Sequence, residues 1–397
     1  MKSSEKKIPE LCDNKSNCCG CSACYSACPV NAITMKPDKE GFLYPHIDEE
    51  KCIGCNACVK SCAFKSDIEN RTYKNENCEK KFIKVYAVKH KDDNVRRLSR
   101  SGGIFTALTT EILRQKGAIY GCILNEKKEA IHCRVTTENE RNAMRGSKYV
   151  QSDTTGIFQQ VRLDLDRGMQ VLYTGTSCQI AGLKSFLKKD YENLLCVDIV
   201  CHGVPSPKVW KDYLEWQEKK NDAKCIEVNF RNKVDYGWPA HIETLILEKS
   251  NGKKKRVDSR IYTDLFYSHN ILRVSCSKCP YKSVNHPGDI TIADYWGINK
   301  AAPGFNDNKG VSLVIVNTEK GMKIFKTVTE LLDIRETKIE DSIQQPFIEP
   351  FAIPKERAEF WKDYEELSFD WIVKKYVNWG WKDNFKLIWA RIKYKLK

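Results

Sequence analysis

Cys18-Cys19-Gly20-Cys21-Ser22-Ala23-Cys24-Tyr25-Ser26-Ala27-Cys28-Pro29 and Cys52-Ile53-Gly54-Cys55-Asn56-Ala57-Cys58-Val59-Lys60-Ser61-Cys62-Ala63 are one pattern written twice. Each run spaces four cysteines as C-x2-C-x2-C-x3-C, the first closing on Pro29 and the second on Ala63. Two-residue gaps let a tight loop wrap three corners of an iron–sulfur cubane. Gly20 and Gly54 allow backbone angles that other residues avoid, and Ala23, Ala27 and Ala57 leave room beside the sulfurs. Zinc sites follow a different rule, a close cysteine pair and then a distant pair. The flanking Ala32-Ile33-Thr34-Met35 and Tyr44-Pro45-His46-Ile47, with Gly41 between, predict two short strands and a turn.

The duplication resembles the two-cluster bacterial ferredoxins. In that family the fourth cysteine of each run ligates the other cluster. The resemblance implies that Cys18, Cys21, Cys24 and Cys62 hold one 4Fe–4S cluster, and Cys52, Cys55, Cys58 and Cys28 the second. Cys12 and Cys19 are then surplus non-ligands.

The chain has 397 residues, 41% of them hydrophobic, enough for two or three cores. No stretch near the start reads as a secretory segment, and no apolar run approaches the roughly 18 residues of a membrane span. The expected compartment is the cytoplasm, where 19 cysteines point to metal ligation rather than disulfides. The net charge of +14 is spread among 52 acids, and the longest basic run is Lys253-Lys254-Lys255-Arg256. That favours a mixed, solvated surface over a nucleic-acid site, with attraction to an acidic redox partner as the second reading.

After a polar stretch from Lys65 to Lys81, expected to be a linker, strand and helix signals alternate. Strands are predicted around Val85–Val88, Ala118–Leu124, Gln170–Thr174, Leu194–Val200, Ile226–Phe230, Thr244–Leu247, Ile290–Ala293 and Leu313–Val316, with helices from Ile104 and from about Gln179. Three loops carry small or capping residues: Ser101-Gly102-Gly103, Gly146-Ser147-Lys148-Tyr149 and Thr174-Gly175-Thr176-Ser177. Each suits a phosphate at a helix start and equally an ordinary cap or turn. No Walker A sequence and no G-x-G-x-x-G is present. Cys178, Cys201, Cys276 and Cys279 either converge from strand ends as a third thiolate site or are incidental.

These stretches, with Cys178-Gln179-Ile180-Ala181-Gly182-Leu183, Val197-Asp198-Ile199-Val200-Cys201-His202-Gly203, Cys276-Ser277-Lys278-Cys279-Pro280 and Asp289-Ile290-Thr291-Ile292-Ala293-Asp294-Tyr295-Trp296-Gly297, resemble the beta subunit of coenzyme F-420 (deazaflavin) hydrogenases and dehydrogenases, in the version fused to a dicluster ferredoxin. The resemblance runs over roughly residues 15 to 330. It implies a third 4Fe–4S cluster on Cys178, Cys201, Cys276 and Cys279, and FAD against Ser101, Gly102, Gly103, Gly146, Ser147, Lys148, Tyr149, Thr174, Gly175 and Thr176. Ser177 replaces a common proline and Ala293 a common glycine.

The expected fold is α+β: a bacterial-ferredoxin-like domain at 10–70, a mixed α/β flavin-binding domain at 82–330, and a helical C-terminal extension at 331–397. The expected function is a flavin-dependent iron–sulfur oxidoreductase passing electrons between the clusters and FAD, since a flavin converts two-electron into one-electron chemistry. Its partner would be a redox protein or reduced cofactor, with a deazaflavin or a surface-polysaccharide precursor among the candidate substrates. The alternative is a non-catalytic electron carrier. His202 reads first as a hydrogen-bonded loop histidine and second as a proton shuttle, and no catalytic acid or base is assigned. Trp296 and Tyr295 read first as core aromatics, Asp294 as a sheet-end carboxylate. In the tail, Pro346, Pro350 and Pro354 interrupt an aromatic segment. Phe385, Ile388, Trp389, Ile392 and Leu396 then recur at helical spacing among lysines, a face expected to dock on its own protein, with contact to acidic lipid or a partner as the second reading. A homo-oligomer is compatible with the sequence.

Overall fold

The computed structural model describes residues 7–70 and 84–395. Strands β1 (Ile33–Pro37) and β2 (Leu43–Ile47) pair antiparallel around Gly41, and short helices Ala23–Ala27 and Ala57–Lys60 follow the two cysteine loops. Gly20 and Gly54 have φ of 72° and 69°, so both loops use the left-handed region that glycine tolerates. The polar stretch expected to be a linker begins as helix: Ala63–Asn70 continues from Cys62. Its anchor is Phe64, buried against Tyr281, a contact from far along the chain that outweighs the local polarity. Residues 71–81 of that stretch lie outside the described residues.

The second unit begins with β3 (Lys84–His90), β4 (Ala118–Leu124), β5 (Ala130–Val135), β6 (Val171–Thr176) and β7 (Leu194–Ile199). A three-stranded excursion follows, β8 (Lys224–Asn229), β9 (Glu243–Glu248) and β10 (Lys254–Ser259), before the chain returns with β11 (Ile290–Asp294), β12 (Ser312–Val316) and β13 (Leu332–Thr337). The main sheet runs β13-β3-β12-β11-β7-β6-β4-β5. Its centre, β11-β7-β6-β4, is parallel, and its flanks are antiparallel. The central strands are nearly continuous apolar runs because both faces are covered. On helix Ile104–Arg114, Ile104, Ala107, Leu108 and Ile112 bury one stripe beneath the sheet. Each large side chain there contributes about 1.5–3 kcal/mol.

The far edge strand, β13, falls in the region expected to be a helical extension. Its Leu-Asp-Ile-Arg-Glu-Thr sequence alternates as an edge strand does, with Leu332 buried and the intervening Asp333 and Arg335 exposed. Phe347, from the proline-interrupted segment, packs with the core around Tyr295 and Phe305. Helices Arg357–Glu366 and Trp381–Lys395 close the chain. Among the described residues no helix is long and apolar enough to cross a membrane.

Candidate redox centres and cavity

The parallel strands end on one side of the sheet, and the chemistry collects there, as it does in open α/β sheets generally. β6 runs into Thr174-Gly175-Thr176 and then helix Ser177–Leu187, which carries Cys178 in its first turn. Cys201 follows β7 by two residues, Asp294 ends β11, and Cys276 and Cys279 lie on and just after the short helix Val274–Lys278.

The thiols fall into three neighbourhoods. Burial pushes the Cys24 thiol well up, with Cys21, Cys18 and Cys62 close enough to add to the rise. Cys28, Cys52, Cys55 and Cys58 line one small hollow. Burial raises Cys201 to about 12, with Cys276 and Cys178 adding to it, and raises Cys279 with Cys178 and Cys276 beside it. These are the three sets that the resemblance implied. A neutral thiol is stable in such burial, whereas several adjacent thiolates need a cation among them, which is what an iron–sulfur core supplies. Among the described residues no three Cys, His, Asp or Glu side chains draw close enough to grip a single ion. A cubane, with its thiolates at the outer corners, asks for a wider spread.

The first and third neighbourhoods touch. Cys19 is buried, and its thiol interacts with both Cys21 and Cys178, which helps to hold Cys178 down to about 7. Gly182, one turn beyond Cys178, lets the helix approach Cys21 so closely that an added Cβ would lie 2.7 Å from its sulfur. Arg273 ties the units together. Its buried guanidinium donates to Cys18 O at 2.8 Å, Gln151 Oε1 at 2.9 Å and Leu43 O at 3.0 Å, and lies 4.1 Å from the Tyr44 ring centre. Gln151 in turn donates to Cys19 O, and Thr154 to Cys21 O. A hydrogen bond with Cys12 and the Arg273 charge hold Cys18 at about 6, against burial.

Beside the third set opens a cavity of about 1000 Å³, with Cys201 and His202 in its wall. All the residues expected to meet a flavin line it except Gly102. Gly102 serves packing instead: its N–H donates to Ser312 Oγ, and a Cβ would meet Val88 O at 2.0 Å. Lys148 lines the cavity, yet its ammonium donates to Ala143 O, Arg145 O and Gly146 O, and burial lowers it to about 8. The Thr174 loop is held by a relay that sequence reasoning missed. Gln179 donates to Ser152 Oγ, Ser152 to His132 Nδ1, and His132 Nε2 to Thr174 O, while Gln179 Oε1 accepts from Thr176 N–H. Burial holds His132 at about 4, so the ring stays neutral in this role.

Arg100, Arg231 and Arg145 also line the cavity and were not anticipated. Arg231 donates to Asp294 at 2.7 Å, and Trp238 Nε1 to the same carboxyl at 2.8 Å. Burial alone would raise Asp294, but Arg100 and Arg231 hold it low. Arg100 donates through Nη2 to Trp238 O, yet its buried Nε and Nη1 have no hydrogen-bond acceptor, with Asp294 3.7 Å from Nε. Buried donors of this kind fit an anionic group in the cavity. Trp296, half-exposed, stacks on Trp238 at 5.0 Å and lines the cavity, whereas Tyr295 is the core residue expected. His202 Nε2 lies 2.9 Å from His269 Nε2, and burial with nearby Lys282 pushes it down to about 3. Lys282 grips the Cys201 and His202 carbonyls, fixing the turn that carries the Cys201 thiol.

Among solved structures the chain is similar to one from the xenon-derivatised F420-reducing NiFe hydrogenase complex of Methanosarcina barkeri, at 16% identity and a TM-score of 0.42, over 63% of this chain and 81% of that one. No curated protein matches the chain significantly. Residues 168–342 match the family described as the C terminus of the coenzyme F420 hydrogenase/dehydrogenase beta subunit, and residues 17–66 match the 4Fe-4S dicluster domain. By these two matches residues 168–342 form a C-terminal domain of the coenzyme F420 hydrogenase/dehydrogenase beta-subunit family, joined to an N-terminal 4Fe-4S dicluster domain in an iron–sulfur electron-transfer protein.

Proposed function

We propose that this chain is a flavin-dependent iron–sulfur oxidoreductase, linking a ferredoxin-type electron entry to a small-molecule site. The observation that carries the reading is the adjacency of the 1000 Å³ cavity to Cys201, with Cys178 joined through Cys19 to the ferredoxin-type thiols. Cys178, Cys201, Cys276 and Cys279 would hold a third 4Fe–4S cluster, and the cavity an FAD. A bound flavin supplies the exchange between hydride and single-electron chemistry. The chain's own residues bind and orient. Arg100 offers buried donors to an anionic group, the His132 relay fixes the Thr174–Thr176 turn, and Asp294 keeps Arg231 in place. The electron donor is a redox protein or a reduced cofactor, and a deazaflavin or a surface-polysaccharide precursor is a fitting substrate class.

Anaerobic purification followed by flavin extraction tests this directly. One FAD per chain is expected, and Arg100→Met should weaken its retention about tenfold, the worth of one charged hydrogen bond. Protein that carries its iron but neither retains nor takes up FAD would replace this reading by that of a non-catalytic electron carrier. Reduced deazaflavin, reduced ferredoxin and NAD(P)H are the donors to compare.

A further inference from the structure

Helix Trp381–Lys395 meets the rest of the protein with an unexpected side. Leu387 is buried, Arg391 pairs with Asp258 at 3.3 Å, and Gly237 lies close against the Tyr394 ring. The described residues of the apolar face expected to dock inward point outward instead, and Leu396 lies outside the described residues. Trp381 is 70% exposed, Trp389 67%, Phe385 60%, Ile388 47% and Ile392 46%. At about 100° per residue these five fall in one stripe about 100° wide, opposite the docked side. Lys382, Lys386 and Lys393 follow one another along a single edge of that stripe, all exposed. The exposed lysines 253–255, from the longest basic run in the chain, belong to the hairpin whose strand β10 packs against the same helix.

We infer that this helix docks the protein on an anionic lipid surface. Aromatic and branched side chains along one stripe, tryptophans within it and lysines along its border are the composition of a helix lying in the plane of a membrane interface. Burying such side chains favours binding by the apolar area removed from water, and each lysine near anionic headgroups adds to the attraction. A second copy of this chain, with the same net charge of +14, would meet the lysine border with like charge, whereas anionic headgroups complement it. The docked side of the helix contributes Leu387 and Ala390 to the wall of the large cavity. The proposed lipid contact and the cavity wall are therefore two sides of one element. This inference does not depend on which redox reaction the cavity supports.

Flotation of the full-length, cluster-loaded protein with phosphatidylcholine vesicles, with and without phosphatidylglycerol, tests it. The wild type should float with the anionic vesicles and remain below with the neutral ones, and raised salt should release it. Phe385→Glu with Trp389→Glu should lower the bound fraction about tenfold or more. Both side chains are exposed, so the visible absorption of the clusters serves as the folding control. Lys382→Gln, Lys386→Gln and Lys393→Gln together should lower it about tenfold with the stripe intact. Wild type that stays below with anionic vesicles, or variants that float as well as wild type, would overturn the inference. So would a concentration-dependent dimer in sedimentation velocity that the stripe variant abolishes without any flotation, which would assign the stripe to a second copy.

Discussion

The ferredoxin-type module and the domain behind it hold their thiols in opposite ways. In the module, three of each four thiols come from one short loop, and chain geometry alone brings them together. In the second domain, Cys178, Cys201, Cys276 and Cys279 come from two strand ends and one loop, and only the parallel order β11-β7-β6 makes them neighbours. A locally wound site survives loss of distant contacts, whereas an assembled site depends on the sheet. The seam between them, Cys19 with Arg273, is where the two designs meet.

That contrast can be broken first at Arg273. Arg273→Met would strip Cys18 O, Leu43 O and Gln151 of their buried donor, at a cost of about 3 kcal/mol or more. Limited proteolysis should then release the module from the rest, while the module's own visible absorption persists. A variant as protease-resistant as wild type would mean that the seam is held elsewhere.

The His132 relay sharpens the comparison through pH. His132 is held at about 4 in the folded protein against an ordinary 6.5, so the unfolded chain binds a proton between these values that the folded one refuses. Its contribution is present above about pH 6.5 and drains as pH falls toward 4, by up to about 3 kcal/mol. His132→Gln keeps a donor for Thr174 O without titrating. The gap in urea midpoint between pH 7.5 and 5 should therefore be smaller in this variant than in wild type, other acid-labile groups being common to both. An equal gap would remove His132 from the account.

A smaller effect is expected at Gly182. Alanine there gains about 1 kcal/mol of helix propensity but brings a Cβ to 2.7 Å from the Cys21 sulfur. The net cost should be about 1–2 kcal/mol from overpacking, read as faster bleaching of the visible bands in air than for wild type. Bleaching at the wild-type rate would show that the helix and loop separate without penalty.

The same contrast governs what was legible in the sequence. The two cysteine runs declared themselves because ligand spacing is local, and the two strands after the first run followed from their flanking turn signals. The central strands were legible as apolar runs. β5, β10 and β13 were not: Lys254–Ser259 pairs with its neighbour β9 but is too charged to read as a strand, and Leu332–Thr337 is a charged edge strand whose partner, β3, lies far along the chain. The loops of the cavity read both as phosphate sites at helix starts and as ordinary caps until the resemblance joined them. Gly102 alone of these residues stands off the cavity, close against the strand carbonyl Val88 O of another element. His132, Arg100 and Arg273 carried no local signal, for each acts through partners between about 20 and 255 residues away. The tail helix was recognised as amphipathic, but periodicity gives a face and not the direction in which it points.

The central claim is that a third thiol set, assembled by the sheet, holds iron as the two local sets do. Iron and inorganic sulfide per chain, measured side by side in anaerobically prepared wild type and in Cys276→Ala with Cys279→Ala, test it most directly. The account predicts about 12 iron atoms in the wild type and about 8 in the variant. About 8 in both would contradict it, leaving two clusters in the module and an inner set of thiols with no metal to bind.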